Sequence, residues 1–283
     1  MDPQPTAPQP ATPQPATPQP ATPQPTAPQP ADRAPVDPAP VEQARRLVRE
    51  RFPDALAAVL AGSTARGRAT AGSDLDIAVL VRDGGGTCRE TLRFEGRLVE
   101  LFVHTRAGLA ELFAADAATR RAVLQDMYRD GLVLTDPQGE AARARALAEA
   151  ELRQGPPPLA PEAVGTKRYG LTDALDDLAD AADPFERLAV AAVVLEGAAD
   201  LLLDHRRAWT GGGKWLPRRL LAADPELGGA LLEGHRLLCV SGEHTALTAA
   251  ASEVLDLVGG PLREGYRRDW RGVIESVAVQ AGR

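Results

Sequence analysis

Cysteine is nearly absent from this chain. Cys88 and Cys239 are the two there are, far apart in sequence. They make neither a disulfide framework nor a zinc-ligand pattern, and they fit a reducing cytoplasm. Aromatic residues amount to 4%, too few to suggest a base-stacking platform for nucleic acid. Net charge is −7, so the overall field does not favour a polyanionic partner. No apolar stretch is long and charge-free enough to span a bilayer. The N-terminal segment lacks the basic and continuous apolar regions of a secretion signal.

Proline is abundant but unevenly spread: 15 of the 25 prolines lie within the first 40 residues. Residues 1–38 repeat P-Q-P-A-T or P-Q-P-T-A and hold almost no large apolar side chains. Such a segment cannot bury a core and is expected to be a disordered, polyproline-biased tail. The remaining residues suit two modest domains.

The most specific pattern occupies residues 57–81, A-A-V-L-A-G-S-T-A-R-G-R-A-T-A-G-S-D-L-D-I-A-V-L-V. An apolar run ends at Gly62-Ser63, a polar stretch follows, and Asp74 and Asp76 head a second apolar run. Residues i and i+2 of a strand face the same way, so the two carboxylates aim at one spot. Paired anions need a cation between them, and magnesium held by carboxylate oxygens serves that purpose. Gly62 permits close backbone approach. A helix starting near Ser63 would turn its free N–H groups to a phosphate, with the Ser63 hydroxyl and Arg66 beside them.

This pattern resembles the nucleotidyltransferase superfamily, with its polymerase-β-like fold. Gly62, Ser63, Asp74 and Asp76 match its signature position by position. The resemblance implies a third carboxylate on a later strand, and Glu100 in R-L-V-E-L-F-V-H is the candidate. The family position is most often Asp; Glu resembles the aminoglycoside adenylyltransferase branch, where it is assigned as general base. Metal ligand, base, or both remain open for Glu100. The resemblance further implies Mg²⁺, two ions, and ATP or another nucleoside triphosphate. It implies transfer of a nucleoside monophosphate to a hydroxyl of a small molecule, of which an aminoglycoside-type antibiotic is one. Alternatives are a protein-modifying enzyme of toxin–antitoxin type and a non-catalytic nucleotide sensor. No nucleic-acid or membrane partner is expected, and the state is monomer or homodimer.

The fold class expected is α+β. A nucleotidyltransferase domain over 39–154, a mixed sheet with helices, is followed by a Pro-rich linker over 155–161. An all-α bundle over 162–283 completes the chain. Helices are expected near 41–51, 63–70, 105–113, 117–129 and 138–153. Strands are expected near 56–61, 75–82, 90–94, 97–104 and 131–134. The bundle reads as helices 162–182, 184–208, 214–223, 227–239, 242–258 and 262–280.

Within the bundle, Gly211-Gly212-Gly213-Lys214 fails as a P-loop, because Ala208 and Trp215 stand where glycine and Ser or Thr belong. Lys214 at a helix start can still aim its ammonium at a triphosphate; a helix cap beside a buried Trp215 is the alternative. Weaker candidates are Lys167 and Tyr169 for nucleotide or acceptor. Asp173, Asp176, Asp177 and Asp180, at helical spacing, are candidates for a cationic acceptor. His104 shares a strand face with Glu100.

Overall fold

The computed structural model describes residues 35–269. Helix α1 (Pro38–Arg51) starts where Asp37 accepts a hydrogen bond from the Ala39 amide. Most of the repeat tail expected over 1–38 lies outside the described residues.

Five strands form one sheet: β1 (Ala57–Leu60), β2 (Leu75–Leu80), β3 (Cys88–Phe94), β4 (Arg97–His104) and β5 (Leu132–Thr135), in the order β3-β4-β2-β1-β5. β2 and β4 run parallel, and the other neighbours are antiparallel. The β3–β4 hairpin turns at Glu95 and Gly96, both at positive φ, which matches the right-handed twist of the strands.

β1 and β2 read as nearly unbroken apolar runs because both faces of the sheet are covered. Ala58, Leu60, Ile77 and Val79 pack towards α1 with Ala44, Leu47 and Val48. Ala57, Val59, Ala78 and Leu80 pack the other way. Their partners come from α3 (Arg106–Ala118), α4 (Val123–Asp130) and α5 (Glu140–Gln154).

Residues 155–160 are irregular. Five helices follow: α6 (Pro161–Asp180), α7 (Pro184–His205), α8 (Trp215–Ala223), α9 (Pro225–Ser241) and α10 (Thr245–Leu257). They share a separate core built on α7, whose Val194, Ala198, Leu201 and Leu202 are fully buried. The two halves meet at Trp209, which packs with Ala122 and Leu152. Its indole N–H donates to the Leu152 carbonyl at 3.2 Å. Among the described residues no helix is long and apolar enough to cross a membrane.

Three expected helices are corrected. The one expected over 63–70 is the single turn α2 (Gly62–Ala65); Gly67 adopts φ +66° and ends it. The one expected over 117–129 begins only at Val123, because Arg120 takes φ +59° and separates α3 from α4. The one expected from 262 does not form over 262–269, which are irregular with a turn at 264–265. Gly259, Gly260 and Gly265 all hold positive φ there, and residues 270–280 lie outside the described residues.

Candidate active site

β1 delivers the chain to Gly62, which sits at φ +68°. A Cβ built there would lie 1.9 Å from Asp76 Oδ2, so glycine is required both by conformation and by space. The Ala61 amide donates to the Asp76 carbonyl at 2.7 Å, tying the turn to β2. Asp74 precedes β2 and Asp76 lies within it. The parallel register of β2 and β4 sets Asp76 beside Glu100. Asp74, Asp76 and Glu100 each place a carboxylate oxygen within 4.8 Å of the others.

Three converging carboxylates repel. Burial, then Asp74, then Glu100 push the Asp76 carboxyl up to about 6, against the opposing pull of Lys214 and Arg66. A hard divalent cation relieves such a cluster, so the donor set fits magnesium. Arg89, on β3, donates from Nη2 to Glu100 Oε2 at 2.6 Å. Its guanidinium also lies 4.9 Å from the centre of the Phe102 ring.

The carboxylates line a cavity of about 550 Å³. Its opposite wall comes from the helical half: Thr210, Gly211, Gly212, Lys214, Trp215 and Arg219. The Thr210 amide and hydroxyl both donate to the Arg120 carbonyl, at 2.8 and 3.0 Å, which anchors this glycine loop to the sheet half. Trp215 is ringed by the guanidiniums of Arg66, Arg218 and Arg219, at 5.2, 5.2 and 5.3 Å from its ring centre. Burial pulls the Arg66 guanidinium below its ordinary value. Arg219 donates to Asp126 Oδ2 at 2.5 Å, and Arg129 lies 2.8 Å from the other oxygen. Burial pushes the Asp126 carboxyl up, and these two arginines oppose it.

The cavity thus brings together Gly62, Ser63, Arg66, Asp74, Asp76, Glu100 and Lys214. Other candidates lie elsewhere. Lys167 pairs with Asp200 at 2.6 Å, and Tyr169 stacks on Tyr266 with centroids 4.2 Å apart. Asp173 and Asp176 are bridged by Arg263, while Asp177 and Asp180 are exposed on the same helix. His104 is buried with its Nε2 2.7 Å from the Tyr128 hydroxyl. Trp215 is half-buried in the cavity wall rather than enclosed.

Sequence reasoning missed Arg89, Arg121, Asp126 and Arg219. Arg89 alone had a readable signal. Folding the hairpin about Glu95-Gly96 pairs Arg89 with Phe102 and Thr91 with Glu100, which puts Arg89 diagonally beside Glu100.

Residues 41–111 match the family model described as a nucleotidyltransferase domain. That span contains Gly62, Ser63, Asp74, Asp76 and Glu100. Among solved structures, the chain is similar to a nucleotidyltransferase-like protein from Exiguobacterium sibiricum 255-15. Identity is 13%, over 78% of this chain and 74% of that one, with a TM-score of 0.40. It is also similar to a toxin–antitoxin structure with AMP-PNP. Identity there is 20%, over 39% of this chain and 84% of that one, with a TM-score of 0.23. No curated protein matches.

Proposed function

Because this chain carries a nucleotidyltransferase domain, and transfer of nucleotidyl groups is that family's chemistry, we propose that it moves a nucleoside monophosphate, AMP from ATP, onto a hydroxyl of a small molecule. The proposal takes residues 39–154 as the transfer domain and 162–283 as a helical domain joined to it at 155–161. The observation that carries it is the carboxylate triad on adjoining strands, facing Lys214 and Arg66 across one cavity.

In this reading Asp74, Asp76 and Glu100 hold magnesium, two ions. When bound, magnesium supplies charge neutralisation at the oxygens around the α-phosphorus. Gly62 lets the backbone approach the phosphates, and Ser63, Arg66 and Lys214 hold them. The acceptor oxygen bonds to the α-phosphorus as the bond from that phosphorus to the α–β bridging oxygen breaks. Pyrophosphate leaves, and Glu100, where it is not a metal ligand, takes the hydroxyl proton.

Aminoglycosides belong in the acceptor panel because glutamate, rather than aspartate, at position 100 resembles that branch. The test incubates the chain with magnesium, α-labelled ATP and a panel of aminoglycosides, lincosamides and simple alcohols, following pyrophosphate and labelled product. Label on an acceptor with stoichiometric pyrophosphate is expected. Magnesium-dependent ATP binding without transfer to anything in the panel would turn the search to protein and anionic small-molecule acceptors, and would favour the nucleotide-sensor reading if those too stay unlabelled.

A further inference from the structure

We infer that the acceptor is a hydroxyl compound carrying an anionic group, a carboxylate or phosphate, that Arg89 receives; this rests on the transfer reading above. The sheet order sets the direction. Gly62, Ser63 and Arg66 follow β1, the carboxylates lie just before β2, on β2 and on β4, and Arg89 lies on β3 at the sheet edge. Phosphates held on the β1 flank leave the β3 flank for the group that attacks from the opposite side.

Arg89 dominates that flank. Its side chain is 63% exposed, so a ligand can reach it. Its carboxylate partner is Glu100, a member of the triad. Glu100 takes only part of the guanidinium's five-donor fork, which leaves N–H groups for an incoming anion. The Phe102 ring beneath it holds it in place beside the reacting centre.

Among the described residues, the rest of the cavity wall offers a cationic acceptor no carboxylate outside the triad and the Asp126 ion pair. Its carboxylates are Asp74, Asp76, Glu100 and Asp126. The first three form the triad, and Asp126 is held between Arg219 and Arg129. Its cations are Arg66, Arg89, Arg121, Arg219 and Lys214. Amines brought to the β3 flank would meet Arg89, and the carboxylate beside it, Glu100, belongs to the triad.

The test uses the full chain with magnesium. A first titration measures binding of α,β-methylene-ATP to the wild type. With that nucleotide saturating, glycerol 3-phosphate, glycerol and 3-amino-1,2-propanediol are titrated, three diols that differ in charge. The phosphate should bind at least tenfold more tightly than the amine. Arg89→Ala should abolish that preference and Arg89→Glu should reverse it. Glycerate in place of glycerol 3-phosphate tells a carboxylate from a phosphate, and preference for either supports the inference. Nucleotide binding with equal or tighter binding of the amine overturns the acceptor inference alone, as does an anion preference that survives in Arg89→Ala. Failure of the nucleotide to bind with magnesium overturns the transfer reading itself.

Discussion

A β-carbon on Gly62 would lie 1.9 Å from Oδ2 of Asp76. The turn that follows the first strand and the carboxylate of the second therefore occupy one shared space. Any side chain at 62 must push Asp76 away from Asp74 and Glu100, and it must also tolerate φ +68°.

Gly62→Ala should therefore damage activity far more than folding. Turnover should fall at least about 100-fold, since small misplacements of reacting groups are that costly. The unfolding free energy should fall by about 1 kcal/mol or somewhat more. Steady-state kinetics beside chemical denaturation separate the two. Wild-type turnover in Gly62→Ala would show that the position of Asp76 does not matter.

Asp76→Asn should lower turnover by about three orders of magnitude or more, as expected when a charge-stabilising group is lost from a reacting centre. Its effect on the metal-free fold has the opposite sign. The folded carboxyl titrates at about 6, against 3.8 for an unperturbed aspartate side chain, so the native state holds its proton more tightly. That contribution is complete below pH 3.8 and is lost as pH rises through about 6. Above pH 6 the asparagine variant should be more stable than wild type, by on the order of 2 kcal/mol. The gap should close below about pH 4, and magnesium should narrow it at about pH 8 by stabilising the wild type alone. Thermal unfolding across pH reads this directly. A variant less stable than wild type under those alkaline conditions would contradict the crowded-carboxylate account.

Lys214 is one of only two lysines in the chain. The other, Lys167, is engaged with Asp200. Lys214→Ala should raise KM for ATP roughly tenfold to a hundredfold, the range for losing a charge-assisted contact. Lys214→Arg should recover part of the loss. An unchanged KM would mean that Lys214 caps α8 and nothing more.

His104 and Tyr128 form a buried pair beneath the sheet, 2.7 Å from Nε2 to hydroxyl. Burial pulls His104 down to about 4, so the imidazole is neutral at pH 7. The sign for a depressed base is the reverse of that for Asp76: stability present above pH 6.5 drains away as pH falls towards 4. Tyr128→Phe leaves the imidazole nitrogen without this partner and should cost about 1–3 kcal/mol, with turnover at saturating substrate little altered. A titration of the His104 ring by NMR should show no protonation above about pH 5. A normal titration near 6.5 would mean that the ring is solvated.

How legible the site was depends on the range over which each residue finds its partners. Gly62, Ser63, Asp74 and Asp76 belong to one strand–turn–strand unit, whose pattern is visible within a short stretch of chain. Glu100 stood out as an acid inside an apolar strand. Lys214 was marked by its glycine loop. The helix ends were less readable, because single positive-φ residues decided them: Gly67 ended α2, and Arg120 separated α3 from α4. Composition gave no hint that an arginine would take that conformation.

The chain's own order of residues therefore determined the strands, the glycine–serine turn, the aspartate pair and the split between a sheet half and a helical half. These follow from apolar periodicity and from backbone freedom at glycine, which act between near neighbours. Tertiary structure decided which further charges, Arg89 and Arg219 among them, line the carboxylates' cavity. The Arg219–Asp126 pair spans 93 residues and exists because the helical half docks through Trp209 and Thr210. The Arg263 bridge to Asp173 and Asp176, 90 and 87 residues away, gives two of the four aspartates on that helix a partner that sequence spacing did not show. Charges separated so widely along the chain meet only after distant segments have packed, and no local pattern encodes which of them will.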